Sequence, residues 1–256
     1  MEQIPEEDPR FGGIERLYGR AGRQRLAAAH VAVVGIGGVG SWTVEALART
    51  GVGRLTLIDL DDICITNTNR QLHAVEGQVG RAKVEAMAAR VALIHPGCLV
   101  RPVAAFFTER TADTLLAPGF DCVVDAIDHP RNKALLLSRC QGAGVPVVTV
   151  GGAGGRRDPA SVMRGDLAAS VQDGLLREVR RLLRREHGFP EEGPWGIPAV
   201  FSRERPVFPG ADGTICEVPK DKSLRLDCAS GFGTAAFVTG TFGFAAAAAA
   251  VEALIG

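Results

Sequence analysis

Short apolar runs of strand length alternate with longer stretches of helical periodicity through roughly the first 150 residues of the chain. The runs are "HVAVVG", "RLTLID", "DCVVDAI" and "VPVVTVGG"; between them lie "SWTVEALART", "VGRAKVEAMAARVALI" and "RNKALLLSRCQGAG". Strands that are apolar almost throughout are buried on both faces, and the intervening helices supply the cover. The pattern predicts an α/β fold, a Rossmann-like doubly wound and mostly parallel sheet.

From Arg156 the pattern loosens into an arginine-rich helix, "DGLLREVRRLLRREHG", and a Pro/Gly loop, "FPEEGPWGIP". Additional C-terminal strand candidates ("AVFSRE", "PVF") precede a terminal Ala-rich helix. No internal repeat or long linker intervenes, so a single domain over 1–256 is expected, with a core at about 24–152 and an elaboration at about 153–256. Cys228 to Val251 run without a charge, a length that would cross a bilayer. Their Ala, Gly and Ser/Thr content makes transfer to lipid far less favourable than for a Leu/Ile/Phe segment. A buried helix is the expectation, and peripheral membrane association the alternative.

Charge excludes one class of behaviour. Lys+Arg 29 balance Asp+Glu 29, so no global field draws the protein onto nucleic acid, and any such contact must be local. The six cysteines contain no Cys-x-x-Cys pair and several sit in apolar runs, which favours free thiols in the cytoplasm and argues against a structural zinc site. The start, "MEQIPEEDPRFGG", is acidic and polar, unlike a secretory signal.

The strongest local signal follows the first apolar run. In "GIGGVG", Gly35, Gly37 and Gly40 fit G-x-G-x-x-G after a strand and at the opening of a helix, with Ser41 as a candidate cap. Glycine lets backbone N–H groups approach phosphate oxygens, and the helix dipole favours the anion. Asp59 ends the next run, where a carboxylate can accept hydrogen bonds from ribose hydroxyls. These features alone fit a NAD-dependent oxidoreductase. The next loop does not, because Asn67, Asn69, Arg70 and Gln71, with Lys83 beyond them, supply donors and cations for phosphates that hydride transfer leaves without a task. Asp128 follows "DCVVDAI" at the end of a strand, where ligands of open sheets collect; Asp125, inside the strand, is the alternative metal ligand. Asp61 and Asp62 are expected to cap or solvate the loop.

Taken together, "GIGGVG", "LIDLDD", "NTNRQ", Lys83 in "GRAK" and Asp128 in "DAIDHPRNK" resemble the ThiF/MoeB/HesA group of adenylyltransferases, which are similar to ubiquitin-activating enzymes. "RFGGIERLYG", "GGAGGRRDP" and "DCASGFGTA" are most similar to the bacterial branch of that group that acts on N6-threonylcarbamoyladenosine in tRNA. The resemblance extends from Arg10 to about Glu252. It implies ATP and Mg²⁺, with Gly35, Gly37, Gly38 and Gly40 along the phosphates and Asp59 on the ribose. Asn67, Arg70, Gln71 and Lys83 would hold the triphosphate, Asp128 the metal, and Arg70, Lys83 and Asp128 would form the catalytic set. The chemistry is consistent with these roles: a carboxylate attacking the α-phosphate brings two anions together, at a cost of about 4 kcal/mol at ~4 Å for an effective dielectric near 20. Cations offset that repulsion.

The resemblance also implies a homodimer in which an N-terminal arginine, Arg10 or Arg16, reaches the neighbouring site, and an elaboration that faces substrate or RNA. It brings in a monovalent cation and a cysteine desulfurase or sulfur-acceptor system as further candidates. The implied activity is ATP-dependent adenylation of the modified nucleoside's carboxylate in the tRNA anticodon loop, followed by ring closure and net loss of water. The alternative is activation of the C-terminus of a ubiquitin-like sulfur carrier, weakened by the missing Cys-x-x-Cys pairs that many such activators use for zinc. A non-catalytic scaffold is a third class, and intact Arg70, Lys83 and Asp128 speak against it.

Two features stand outside this constellation. Arg177, Arg180, Arg181, Arg184 and Arg185 recur at helical spacing opposite Leu175, Leu176, Val179, Leu182 and Leu183, a basic face suited to tRNA phosphates or, alternatively, paired with Glu178 and Glu186. Cys216 and Cys228 have no activating neighbours in sequence, and Ala199 in "IPAVFS" stands where the family often has cysteine. His73, His95, His129 and His187 show no metal-ligand spacing.

Overall fold

The computed structural model describes residues 8–210, 212–217 and 232–256. The first half runs α1 (Gly12–Ala28), β1 (His30–Val34), α2 (Gly40–Arg49), β2 (Arg54–Ile58), α3 (Lys83–Ile94), β3 (Leu99–Val103), α4 (Ala112–Leu116), β4 (Cys122–Asp125), α5 (Pro130–Gly142) and β5 (Val147–Val150). The second half adds β6 (Val162–Asp166), α6 (Gly174–His187), β7 (Pro198–Ser202), a hairpin of β8 (Phe208–Pro209) and β9 (Ile215–Cys216), and α7 (Ala236–Ile255). The large sheet has the order β3-β2-β1-β4-β5-β7-β6, parallel except for β6 against β7. This is the doubly wound, mostly parallel sheet that the apolar runs predict.

Central strands are buried on both faces. Along β1, Val31 and Val33 join a core with Leu26, Leu47, Met87 and Phe242, while Ala32 and Val34 face Leu136, Leu176 and Leu183 on the other side. Two elements between β2 and β4 escape the sequence reading. β3 (LVRPV) is an edge strand with a proline and half-exposed residues, so it lacks the unbroken apolar run of a central strand. α4 is a short helix of 5 residues, too short to show a period. β6, at the opposite edge, is similarly half-exposed and was also missed.

α7 is long and apolar enough to cross a bilayer by length and composition, yet it is a core helix: Val238, Phe242, Ala246 and Ala250 are buried. Its small residues permit close contact with α2. A Cβ at Gly243 would stand 2.6 Å from Trp42 Cβ and 2.7 Å from Val39 O. The terminal helix therefore backs the turn between β1 and α2, which is where the site forms.

Candidate active site

The connections of β1 and β4 leave toward opposite edges of the sheet, so a crevice opens beyond their C-terminal ends. A cavity of about 720 Å³ occupies this position. Its walls come from the glycine turn after β1, the end of β2 with the loop 66–71 and the start of α3, segment 105–107 after β3, the turn after β4, and the segments 151–154 and 232–234.

The glycine turn has a steric basis. Gly35 has φ +90°, and a Cβ there would meet Ala126 O at 2.7 Å; a Cβ on Gly40 would come within 1.8 Å of Gly35 O. Gly35, Gly37 and Gly38 line the cavity, whereas Gly40 sits behind the wall and lets α2 start against the turn. Ser41 does not cap α2: it is buried, and its Oγ accepts from Leu72 N at 3.2 Å. The expected capping residue instead pins the loop that follows β2.

Asp59, buried at the end of β2, accepts from Ile36 N (2.6 Å) and Asp61 N (2.9 Å). Burial pushes its carboxyl above the usual range, against the pull of Lys83 and these two N–H donors. Each oxygen retains lone-pair capacity for a further donor. The turn Ile65–Asn67 then leads into the loop that carries Asn69, Arg70 and Gln71. Asn67 is spent on this fold, its Oδ1 accepting from Cys64 N at 3.0 Å, and it lies behind the cavity wall, whereas Asn69 lines it. The Arg70 carbonyl accepts from Trp42 Nε1 (3.1 Å) and Thr239 Oγ1 (3.0 Å), so α2 and α7 both fix its backbone. Its Nη1 donates to Thr66 O (2.7 Å) and Asn69 Oδ1 (3.0 Å). Gln71 is buried on the wall with its Oε1 unpartnered. Lys83, also buried, opens α3 and holds Asp61 at 2.7 Å. Asp61 thus belongs to the cavity, beyond the capping or solvating role read from sequence.

At the β4 end the two aspartates separate. Asp125 is fully buried and ion-paired with Lys133 at 2.9 Å; it also accepts from Thr149 Oγ1 (2.7 Å) and Ile127 N (3.2 Å). Lys133 Nζ donates in addition to Asp125 O (3.1 Å) and Ile127 O (3.0 Å), closing the turn that carries Asp128. Asp128 is exposed and on the cavity wall. Sequence reasoning missed Lys133. The available signal was its place on the apolar face of α5, in line with Leu136, Leu137 and Cys140, where a lysine is out of pattern.

The far wall follows β5. Asp173 caps α6 by accepting from Leu176 N (2.9 Å), and its other oxygen accepts from Gly152 N (2.9 Å). Asn69 Nδ2 donates to Thr234 O at 2.9 Å, and Gly155 N to Gly233 O at 2.8 Å, tying segment 232–234 to both sides of the cavity.

Other candidates lie elsewhere. Arg10 pairs with Asp8, and neither Arg10 nor Arg16 lines the cavity. On α6, Arg180 donates to Ser170, Arg181 pairs with Glu178 and Arg185 with Glu186. Arg184 stacks on Trp195 at 5.1 Å and pairs with Glu191 at 3.2 Å. Cys216 is half-buried on β9, and Cys228 lies outside the described residues. Burial pushes the thiols of Cys98, Cys122 and Cys140 up to about 12, which makes them inert. His73 is buried and donates to Ile36 O at 2.8 Å, and His129 caps α5 at the cavity edge. Among the described residues no group of three or more His, Cys, Asp or Glu is placed to hold a metal.

Known proteins match this arrangement over its whole length. The model of the ThiF family matches residues 13–256. A tRNA threonylcarbamoyladenosine dehydratase of Escherichia coli K12 is 48% identical over 247 residues, covering 95% of this chain and 92% of that protein. Its Haemophilus influenzae counterpart is 45% identical over 258 residues, covering 100% and 97%. The crystal structure of the E. coli tRNA N6-threonylcarbamoyladenosine dehydratase TcdA in complex with ATP superposes with a TM-score of 0.87 at 43% identity, covering 98% of this chain and 97% of that one. The same E. coli protein has also been solved with AMP.

Proposed function

Because the chain belongs to the ThiF family, we propose that it is an ATP-dependent dehydratase of N6-threonylcarbamoyladenosine in tRNA, working by adenylation of the substrate's carboxylate. One observation carries the reading. A single cavity joins a glycine turn for phosphates, a buried carboxylate for ribose and two cations, Arg70 and Lys83, to a second wall for the acceptor. The E. coli relative solved with ATP and with AMP has the same fold over nearly the whole chain.

In this reading the phosphates lie along Gly35, Gly37 and Gly38, and Asp59 accepts from the ribose. Arg70, Gln71 and Lys83 face the triphosphate. The substrate carboxylate attacks the α-phosphorus, an oxygen–phosphorus bond forms, and pyrophosphate leaves. A nucleophile within the same modified side chain then attacks the activated carbonyl carbon, closes a ring and expels AMP. The carboxylate oxygen departs with AMP, so the net change in the nucleoside is loss of water. Holding nucleophile and electrophile in one molecule makes closure effectively unimolecular. To meet the triphosphate Lys83 would give up its contact with Asp61, while Trp42 and Thr239 brace the Arg70 carbonyl.

Asp128 suits Mg²⁺, an ion commonly held by one or two carboxylates and by substrate phosphates while keeping several waters. Bound there, the ion would neutralise charge on the phosphates. Asp125 is unsuited because Lys133, Thr149 and Ile127 already occupy its oxygens. We further propose a homodimer in which Arg10 or Arg16 serves the partner's site, and a single domain throughout. Cytoplasmic residence is proposed from the thiols, since Cys64, Cys98, Cys122, Cys140 and Cys216 are free.

ATP–pyrophosphate exchange tests the reading. Exchange that requires tRNA bearing threonylcarbamoyladenosine supports it. Exchange that requires a ubiquitin-like carrier protein instead would overturn the substrate assignment while leaving the adenylation site intact.

A further inference from the structure

We propose that Phe232 is the platform on which the acceptor's modified adenine stacks, and that Asn69 ties this platform to the triphosphate side of the cavity. The inference rests on the dehydratase reading above and assigns the base-recognition element of that site.

The ring is held by a built arrangement. Gly154 and Gly155 leave room for it: a Cβ at Gly154 would come within 2.7 Å of Phe232 Cβ, and one at Gly155 within 2.8 Å of Phe232 Cδ1. Phe208, on β8, packs against Phe232 with ring centroids 5.0 Å apart. Gly155 bonds on both sides, its N–H to Gly233 O (2.8 Å) and its carbonyl accepting from Val207 N (2.9 Å), so three segments clamp the aromatic ring. Phe232 nevertheless remains part of the cavity wall.

The cavity then has aromatic residues at two places. Phe106 and Phe107 follow β3, next to β2 and Asp59, on the side of the nucleotide's ribose; Phe232 stands with Gly152, Gly154 and Leu175 on the opposite wall. The reaction needs two purines in one chamber, that of ATP and that of the modified adenosine, because the carboxylate that attacks the α-phosphate hangs from the second. A base removed from a stacked strand is normally received by aromatic side chains. Among the described residues, those lining the wall with Phe232 are Gly151 to Gly154, Leu175, Gly233 and Thr234, none of them charged. An apolar purine face suits this aromatic ring.

Asn69 makes the wall responsive to the chemistry. Its Nδ2 donates to Thr234 O (2.9 Å) and Oγ1 (3.2 Å), while its Oδ1 accepts from Arg70 Nη1 at 3.0 Å. One amide therefore fixes the position of the acceptor wall relative to the guanidinium that faces the triphosphate. Asn69 is a positioning residue in this scheme.

The test is steady-state kinetics with modified tRNA, beside direct measurement of Mg-ATP binding, on the full-length wild type, Phe232→Ala, Phe232→Trp, Gly154→Ala and Asn69→Ala. Wild-type turnover comes first, since its absence would defeat the dehydratase reading itself and not the platform. Given turnover, Phe232→Ala should raise the KM for tRNA roughly ten-fold or more and leave the ATP dissociation constant within about two-fold, and Phe232→Trp should restore most of the loss. Gly154→Ala, which displaces the ring without removing it, should reproduce the KM effect. Asn69→Ala should lower kcat with ATP affinity retained. An unchanged tRNA KM in Phe232→Ala, or an equal loss of ATP affinity there, would overturn the proposal, as would failure of the tryptophan variant to rescue in a protein that melts like wild type.

Discussion

The cations at the C-terminal edge of the sheet and those on α6 are the same residue types in different company. Lys133 is wholly enclosed and gives its ammonium to Asp125 and two carbonyls; Lys83 is buried on the cavity wall and meets one half-exposed carboxylate. The α6 arginines lie on an open face, and three of the five pair with glutamates of their own helix or the loop after it. Burial sets the consequence of each. A charge enclosed with its partners is costly to orphan, one on a cavity wall is available to a ligand, and one paired in water contributes little. Arginine spacing on a helix therefore says less about nucleic acid than it suggests, because neighbouring glutamates compensate it locally.

The sharpest test of that gradient is Lys133→Met, which leaves Asp125 buried without its counter-ion. A loss of about 3–5 kcal/mol in stability is expected from urea unfolding, and Asp125→Leu placed in the same chain should recover much of it. Lys83→Ala comes next. It should reduce the rate of dehydration by about 100- to 1,000-fold with little change in melting temperature, read by single-turnover kinetics and calorimetry. An intermediate case is Glu45, buried between α2 and α3 and bonded to Arg49 (2.8 Å) and Arg90 (2.6 Å). Burial pushes its carboxyl up, but the two guanidinium groups outweigh this and hold it below the usual carboxylate range. The stabilisation is present above the unfolded carboxylate's pKa and is lost as pH falls through the lower folded value. Glu45→Gln should cost about 1–2 kcal/mol at neutral pH, because both arginines reach water, and the difference from wild type should shrink in acid unfolding titrations. The smallest effect is expected on α6. Arg177 makes no side-chain ion pair among the described residues, so Arg177→Glu should weaken tRNA binding several-fold and lower the salt slope by about one, while Arg181→Glu should do less. Equal effects of the two would break the comparison.

The same gradient explains what could be read from sequence. β1, β2, β4 and β5 were legible because strands covered on both faces must be apolar, and the glycine turn because only glycine tolerates Gly35's backbone and Gly40's contact. β3 and β6 were not, since edge strands carry no such constraint. Arg70, Gln71 and Lys83 were identified from their company in one loop system and Asp128 from its place at the end of a strand, and all four lie on one cavity. Asn67 and Ser41 misled because side chains that hydrogen-bond backbone groups look identical in sequence whether they serve a ligand or the loop itself. Asp61 and the far wall at Phe232 depend on contacts between segments distant in the chain, which no local pattern encodes, whereas Lys133 stood out of pattern on the apolar face of α5, with Asp125 eight residues before it.

The central claim is that this cavity adenylates a carboxylate on a tRNA nucleoside and closes a ring. Nucleoside mass spectrometry of tRNA bearing threonylcarbamoyladenosine, incubated with the protein and Mg-ATP beside a reaction lacking ATP and one with Lys83→Ala, tests it most directly. The account predicts a nucleoside lighter by one water in the complete reaction alone. An unchanged nucleoside under conditions where the protein binds ATP would contradict it.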